Sequence, residues 1–259
     1  MPTVDLLLRG YNVATDQGSL GASTVTLVRG QKNILVDVGP YGRRALLEAA
    51  LRQRGLTPDD IDVVVITHAH WDHAQNVDLC KRARLLISRA EVEYTRSPRP
   101  GDFATPSYFA ATLQGLDVEY AREGMQPEPG VTIIETPGHT AGHLSVVVET
   151  DQGAVVLAAD ALSDADSLDR GHPFIIFWDV EQAVASMKKI LARGSVIYPG
   201  HDRPFRVVDG RPEYLVPPQG ITITGFLEYR GSVASSSWGL GERRVPVIHP
   251  EARQAAARE

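Results

Sequence analysis

The chain has a single cysteine, Cys80, in 259 residues, which excludes an internal disulfide and favours a reducing compartment, the cytosol. The flanking Val77, Asp78 and Leu79 read as the surroundings of a small buried side chain, not of a nucleophile. No apolar run approaches membrane-spanning length, and Met1-Pro2-Thr3-Val4-Asp5 has no basic segment leading into an apolar core, so neither a span nor a signal peptide is expected. Lysine is scarce, 4 against 22 arginines, a bias we attribute to coding more than to function. Cationic residues number 26 against 32 acids, a net charge of −6, so general attraction to nucleic acid or to an anionic membrane is not expected. No internal repeat is visible. What is present is ordinary for a globular protein: 43% hydrophobic and 22% charged residues, in a length that suits one α/β domain. We read residues 1–230 as that domain. Residues 231–259 are small, polar and charged, and read as a tail that is partly ordered or loosely docked.

Periodicity supplies the elements. Strands are predicted at Leu6–Tyr11, Ser23–Val28, Asn33–Gly39, Val63–Ile66, Arg84–Ile87, Leu116–Tyr120, Val131–Glu135, Leu144–Glu149, Ala154–Ala159, Ser195–Tyr198, Phe205–Val208 and Ile221–Tyr229. Arg43 to Arg54 reads as a helix with Leu46, Leu47, Ala50 and Leu51 on one face and Gly55 as its stop. A second helix starts at Asp179 and runs to Arg193, and Ser88 with Glu91 predicts a capping box for a short third. Thr95 to Ser107, rich in proline and charge, reads as a long loop of the kind that forms lids or binding loops.

The chain is organised around Thr67-His68-Ala69-His70-Trp71-Asp72-His73, which follows the buried strand Val63–Ile66. Three imidazoles and a carboxylate this close, on a loop held by a rigid sheet, suit a zinc-like divalent ion. His139, Asp160 and His201 occupy the same kind of place, each at the carboxyl end of a predicted strand, where an α/β fold gathers such side chains on one edge. Any one of these alone is more often a satisfied histidine or a surface acid; their shared placement is what joins them. Pro137-Gly138 and Pro199-Gly200 suit tight turns that aim His139 and His201 into a common pocket.

His-x-His-x-Asp-His, then Thr136-Pro137-Gly138-His139-Thr140-x-Gly142-His143, then Ala159-Asp160 and Pro199-Gly200-His201 resemble the metallo-β-lactamase superfamily. Val36-Asp37-Val38-Gly39 matches its upstream strand-end motif, and the likeness extends from about Ser23 to Phe205. The resemblance implies an α/β fold, a four-layer αββα sandwich with a two-metal site on one edge of the sheets. Carried over by position, His68, His70 and His139 would hold one ion, Asp72, His73 and His201 the other, and Asp160 would bridge them. Asp37 and Thr67 would fix the imidazoles from behind, and His143 would be structural. The implied ions are two divalent metals, zinc in the first instance, with iron or manganese as alternatives. Two such ions would activate a water for attack on an ester-type carbonyl, with Asp72 or Asp160 moving a proton to the leaving group.

Substrate is read less directly. The spacing from His139 to Asp160 to His201 is similar to that of acyl-homoserine lactonases, so a lactone or small ester is the first expectation, but the tyrosine those enzymes carry three residues after the aspartate is Ser163 here. Tyr108 or His172 could take its place, although loop packing and plain exposure explain them as well. Trp71 could wall the pocket. The apolar run Phe174-Ile175-Ile176-Phe177-Trp178 could line an acyl groove, or pack a helix or the interface of a homodimer. A thioesterase of the glyoxalase II type is an alternative, although Arg243, Arg244, Arg253 and Arg258 form no compact basic helical domain. Val196 to Arg206 also resembles small metallo-β-lactamase-domain proteins whose animal member processes histone pre-mRNA, which keeps a phosphodiesterase or RNA nuclease open against the negative charge. An iron-dependent persulfide dioxygenase, with one metal in a related fold, is a further reading. The expected partner is a small molecule.

Overall fold

The computed structural model describes residues 1–15, 18–226, 233–238 and 247–248. One sheet runs, in spatial order, Thr3–Leu8 (β1), Val25–Arg29 (β2), Asn33–Val36 (β3), Val63–Val65 (β4), Arg84–Ser88 (β5) and Asp117–Ala121 (β6). Its first two pairings are antiparallel and its last three parallel. The second sheet contains Val131–Glu135 (β7), Leu144–Thr150 (β8), Gly153–Ala159 (β9), Val196–Pro199 (β10), Phe205–Val208 (β11) and Arg211–Tyr214 (β12), in the order β12-β11-β10-β9-β8-β7. Only β9 and β10 are parallel neighbours; the other pairings are antiparallel.

Three separate apolar clusters show how many layers there are. Along β3 and β4, Ile34, Val36, Val63 and Val65 point one way and meet Val131, Ile133, Val146 and Leu157 of the second sheet. Their neighbours Leu35 and Val64 point the other way, onto Leu47 and Leu51 of the helix Arg44–Arg52 (α1). The second sheet repeats the pattern, with Ile134, Val147, Val156 and Ile197 against Met187 and Ile190 of Val180–Arg193 (α4). Strands buried on both faces read as continuous hydrophobic runs, which is why they are short, β-branched and without alternation. Helix, sheet, sheet and helix make the αββα sandwich. The Asp179 side chain caps α4 by accepting from the Gln182 amide at 2.8 Å.

Some boundaries differ from expectation. The first strand is Thr3–Leu8 and not Leu6–Tyr11, because β2 offers Arg29 through Val25 as its pairing register. The edge strand β12, Arg-Pro-Glu-Tyr, carries no strand pattern and forms through its hairpin with β11, where an edge proline is tolerated. Ser88 makes no side-chain cap to the helix Arg89–Tyr94 (α3), and Glu91 turns inward. In the predicted tail, Val233–Trp238 pairs with Ile221–Phe226 and Val247–Ile248 with Ile175–Ile176; the rest of that tail, and the end of the strand predicted to Tyr229, lie outside the described residues. Among the described residues no helix is long and apolar enough to cross a membrane.

Candidate metal centre

The carboxyl ends of β3, β4, β7, β9 and β10 open on one edge, and Asp37, His68 to His73, His139, Asp160 and His201 follow them in turn. Trp71, lying between candidate ligands, begins the single turn Trp71–Ala74 (α2) that presents Asp72 and His73. Asp37 sits in the left-handed region at φ 57° and is 1% exposed. Its carboxylate accepts from the Thr67 amide at 2.9 Å, the Thr67 hydroxyl at 2.9 Å and His73 Nδ1 at 2.8 Å. Having given its proton to Asp37, the Thr67 hydroxyl can only accept from His68 Nδ1, 3.0 Å away.

Most of the cluster imidazoles are held from behind in this way. His139 Nδ1 faces the Ile175 carbonyl at 2.7 Å and His201 Nδ1 faces the Tyr11 carbonyl at 3.2 Å, so both of those nitrogens carry the proton. The nitrogens left over point at one another: His70 Nδ1 is 3.0 Å from His68 Nε2 and 3.0 Å from His139 Nε2. Unprotonated, three such nitrogens among buried groups repel unless a cation lies among them. Zn–N bonds of about 2.0–2.1 Å in a tetrahedral site put ligand nitrogens roughly 3.3 Å apart, close to the spacing seen here. The residues fit a divalent metal.

Ligand atoms of His68, His70, His139 and Asp160 lie within 4.8 Å of one another, as do those of Asp72, His73 and His201. Asp160 touches both groups: Oδ2 is 3.3 Å from His139 Nε2 and 3.3 Å from His201 Nε2, and Oδ1 is 3.3 Å from His73 Nε2. It is aimed there by two devices. Ala159 adopts φ 46°, and the Asp160 amide donates to His143 Nε2 at 3.2 Å. His143 then donates from Nδ1 to Thr136, which continues through Ser145 to the Ala158 carbonyl, so this buried chain is satisfied at every link. Gly200 is required by close approach: a Cβ there would lie 1.9 Å from Asp160 Oδ1.

The electrostatics divide the cluster. Burial, helped by the neighbouring rings, holds His68 and His143 well below the ordinary imidazole value and takes His139 down to about 4. Burial opposes a proton on His73 and His201 too, but Asp160 and Asp72 outweigh it, raising His73 well above its usual value and His201 to about 9. Asp160, despite burial, is held far below the carboxylate range by His201, His73 and His139. A proton is thus favoured on the His73 and His201 side of the cluster and disfavoured on the His68 and His139 side.

A cleft of about 550 Å³ open to solvent lies over the cluster. Of the pocket residues expected from sequence, Trp71, Ser163, Phe174 and Phe177 line it, with Phe103 and Asn12 in addition. The Phe177 ring stands edge-on to His70 and His139 at 5.2 and 5.7 Å. Ser163 ties the walls together, its hydroxyl accepting from the Phe174 amide and its carbonyl from the His201 amide, both at 2.8 Å. Tyr108, His172 and Trp178 do not line the cleft. Tyr108 borders a separate shallow groove beside Trp71, His172 bonds the Pro173 carbonyl, and Trp178 packs edge-on to Tyr94 under the Arg99 guanidinium.

Two buried acids escaped the sequence reading. Glu91, assigned to a capping box, accepts from the Ala69 amide at 2.9 Å, the Thr140 hydroxyl at 2.8 Å and the Gly142 amide at 2.9 Å, bracing both ligand loops. Its Ser-x-x-Glu spacing is indistinguishable from a cap. Asp102, within the proline-rich loop, lies 3.5 Å from His70 Nε2, and no local pattern announces it.

A four-layer sandwich with histidine and aspartate candidate ligands on one sheet edge defines a class, and the family model described as the metallo-beta-lactamase superfamily matches residues 18–201. The chain belongs to the metallo-β-lactamase superfamily, as a metal-dependent hydrolase. It is 33% identical over 209 residues to metallo-beta-lactamase domain-containing protein 1 of Xenopus laevis, covering 80% of this chain and 82% of that one. It is 28% identical over 158 residues to an N-acyl homoserine lactonase of a Bacillus species, 59% of this chain and 60% of the other. A crystal structure of a putative metallo-beta-lactamase from Thermotoga maritima superposes with a TM-score of 0.65 at 22% identity, over 79% of this chain and 99% of the other.

Proposed function

We propose that the chain is a dinuclear metallohydrolase that opens a lactone or a related small, uncharged ester. His68 Nε2, His70 Nδ1 and His139 Nε2 would hold one ion, and Asp72, His73 Nε2 and His201 Nε2 the other, with Asp160 shared; zinc is the first choice for this nitrogen-rich set. Bound there, such ions lower the pKa of a water towards about 7 and polarise the carbonyl it attacks. The chain's own groups do the rest. Asp37, Thr67 and the Ile175 and Tyr11 carbonyls keep the proton of each imidazole they face on the outer nitrogen, so no such ligand has to rearrange. Asp72, beside His201 Nε2 at 3.4 Å, opens to the cleft and can receive the proton of the attacking water and return it to the leaving alkoxide oxygen.

One observation carries the choice of substrate: among the described residues no lysine or arginine lines the cleft, while Phe103, Phe174, Ile175 and Phe177 do. Beyond the ions themselves, an anionic phosphodiester or glutathione thioester would find no basic side chain there among the described residues, whereas an acyl lactone needs none. The similarity to an N-acyl homoserine lactonase supports the same choice. Metal content per chain, measured on protein purified without chelator, together with a parallel screen of lactones, thioesters, phosphodiesters and RNA, tests the proposal. Two zinc ions and lactone turnover that falls by about 10³-fold or more in Asp160→Asn are expected. Turnover unchanged in Asp160→Asn overturns it, a single iron points to the dioxygenase reading, and cleavage of RNA alone to the nuclease.

A further inference from the structure

His70 differs from the other cluster imidazoles in which nitrogen faces inward. His68, His139 and His201 present Nε2 and are held at Nδ1 by Thr67 or by the backbone carbonyls of Ile175 and Tyr11. His70 presents Nδ1, and its Nε2, buried, finds no hydrogen-bond acceptor of good geometry nearer than the carboxylate of Asp102 at 3.5 Å. That carboxylate is itself wholly buried. Its Oδ1 accepts from the Ala104 and Thr105 amides at 2.9 and 3.0 Å, and its Oδ2 from the Tyr94 and Thr105 hydroxyls at 2.7 Å each. Four donors fix the carboxylate from one side and leave the fifth direction to His70. A loop acid buried with this many partners is not a solvated turn residue.

We infer that Asp102 is the positioning residue for His70: it holds the imidazole proton on Nε2, turns Nδ1 towards the metal, and so makes metal affinity depend on the folding of the proline-rich loop. The loop is fastened at two other points that make the coupling mechanical. The Trp71 amide donates to the Ala104 carbonyl at 3.0 Å, one residue after His70, and the Arg99 guanidinium donates to the Trp178 carbonyl and stacks on its ring at 4.1 Å. Phe103, beside Asp102, stands at the cleft mouth against Phe177 at 5.6 Å. The segment that shapes the mouth is therefore the one that orients a ligand.

The inference rests on the ligand assignment above, and its test separates the two. In the wild-type protein, long-range ¹⁵N–¹H spectra of the imidazoles should show His70 protonated at Nε2 and the other cluster ligands protonated at Nδ1; His70 protonated at Nδ1 overturns the inference whether or not any variant folds. Asp102→Asn, with Zn²⁺ affinity read by competition with a chromophoric chelator, should bind about 10–100-fold more weakly, the usual loss when a ligand's outer partner is removed. Its Co²⁺ derivative should show altered d–d bands. Tyr94→Phe, which removes a donor to Asp102 but leaves its carboxylate facing His70, should keep nearly all of the affinity. Equal Zn²⁺ affinity in Asp102→Asn and wild type overturns the role of Asp102, whereas failure of the wild type to bind Zn²⁺ would overturn the ligand assignment instead.

Discussion

A buried imidazole has two nitrogens to satisfy, and several of the chain's concealed polar groups settle which one carries the proton. Asp37, Thr67, Thr136 and the carbonyls of Tyr11 and Ile175 each face the Nδ1 of one of these imidazoles. Glu91 works one step further out. With Glu91→Gln, one carboxylate oxygen becomes an amide NH₂ facing buried donors, so at least one of the Ala69, Thr140 and Gly142 contacts is lost. A destabilisation of about 2–4 kcal/mol is expected from urea midpoints at unchanged slope. The seven candidate ligands and Asp37 were legible in sequence because each follows an apolar run and carries a distinctive motif. Glu91 was misassigned because spacing alone cannot tell a side chain that turns back to its own helix from one that turns to another loop. Asp102 was illegible because its partner lies 32 positions upstream with no periodic relation between them. His172 and Tyr108 were drawn into the pocket by residue type alone; their positions depend on turns that residue type does not specify.

Elements were easier to read than side chains where both faces are buried. The helix α1 was expected over Arg43–Arg54 and spans Arg44–Arg52, because Leu47, Ala50 and Leu51 recur at helical spacing. The run Phe174 to Trp178 was ambiguous between a groove and a packing face, and it is both. Phe174, Ile175 and Phe177 line the cleft, while Ile176 packs under α4 against Ala183 and Val180. Alternation about one strand divides the two roles, which composition could not. One edge strand escaped: β12 has neither apolar alternation nor β-branched residues and exists because β11 offers a partner. Because the helices cover the sheets from outside, they should serve stability and leave the metal edge alone. Leu51→Ala, at a fully buried position, is expected to cost about 2–5 kcal/mol in denaturant while metal bound per folded chain stays unchanged.

For the whole molecule the opposed titrations of the cluster give chelated protein a defined pH response. His139 is depressed to about 4 while an unfolded imidazole titrates near about 6.5, so stability is lost as pH falls through that interval. His201 is raised to about 9, so its contribution is complete below about 6.5 and is lost as pH climbs to 9. His68 follows His139 and His73 follows His201. Thermal melts of chelator-treated protein from pH 5 to about 9.5 should therefore peak near about pH 6.5, and zinc should move the peak upward, since ions take over where the protons leave. A monotonic rise across that range without metal would contradict the charge distribution described here.

The candidate ligands come from both halves of the sandwich: His68 to His73 hang from the first sheet, while His139, Asp160 and His201 hang from the second. Elsewhere those sheets meet chiefly through the apolar side chains of the cluster between them. A pair of cations at the rim would rivet them, so that neither sheet could open without the other. Amide hydrogen exchange should then slow together across both sheets in zinc-loaded protein, and separate into two rates once a chelator draws the rivets out.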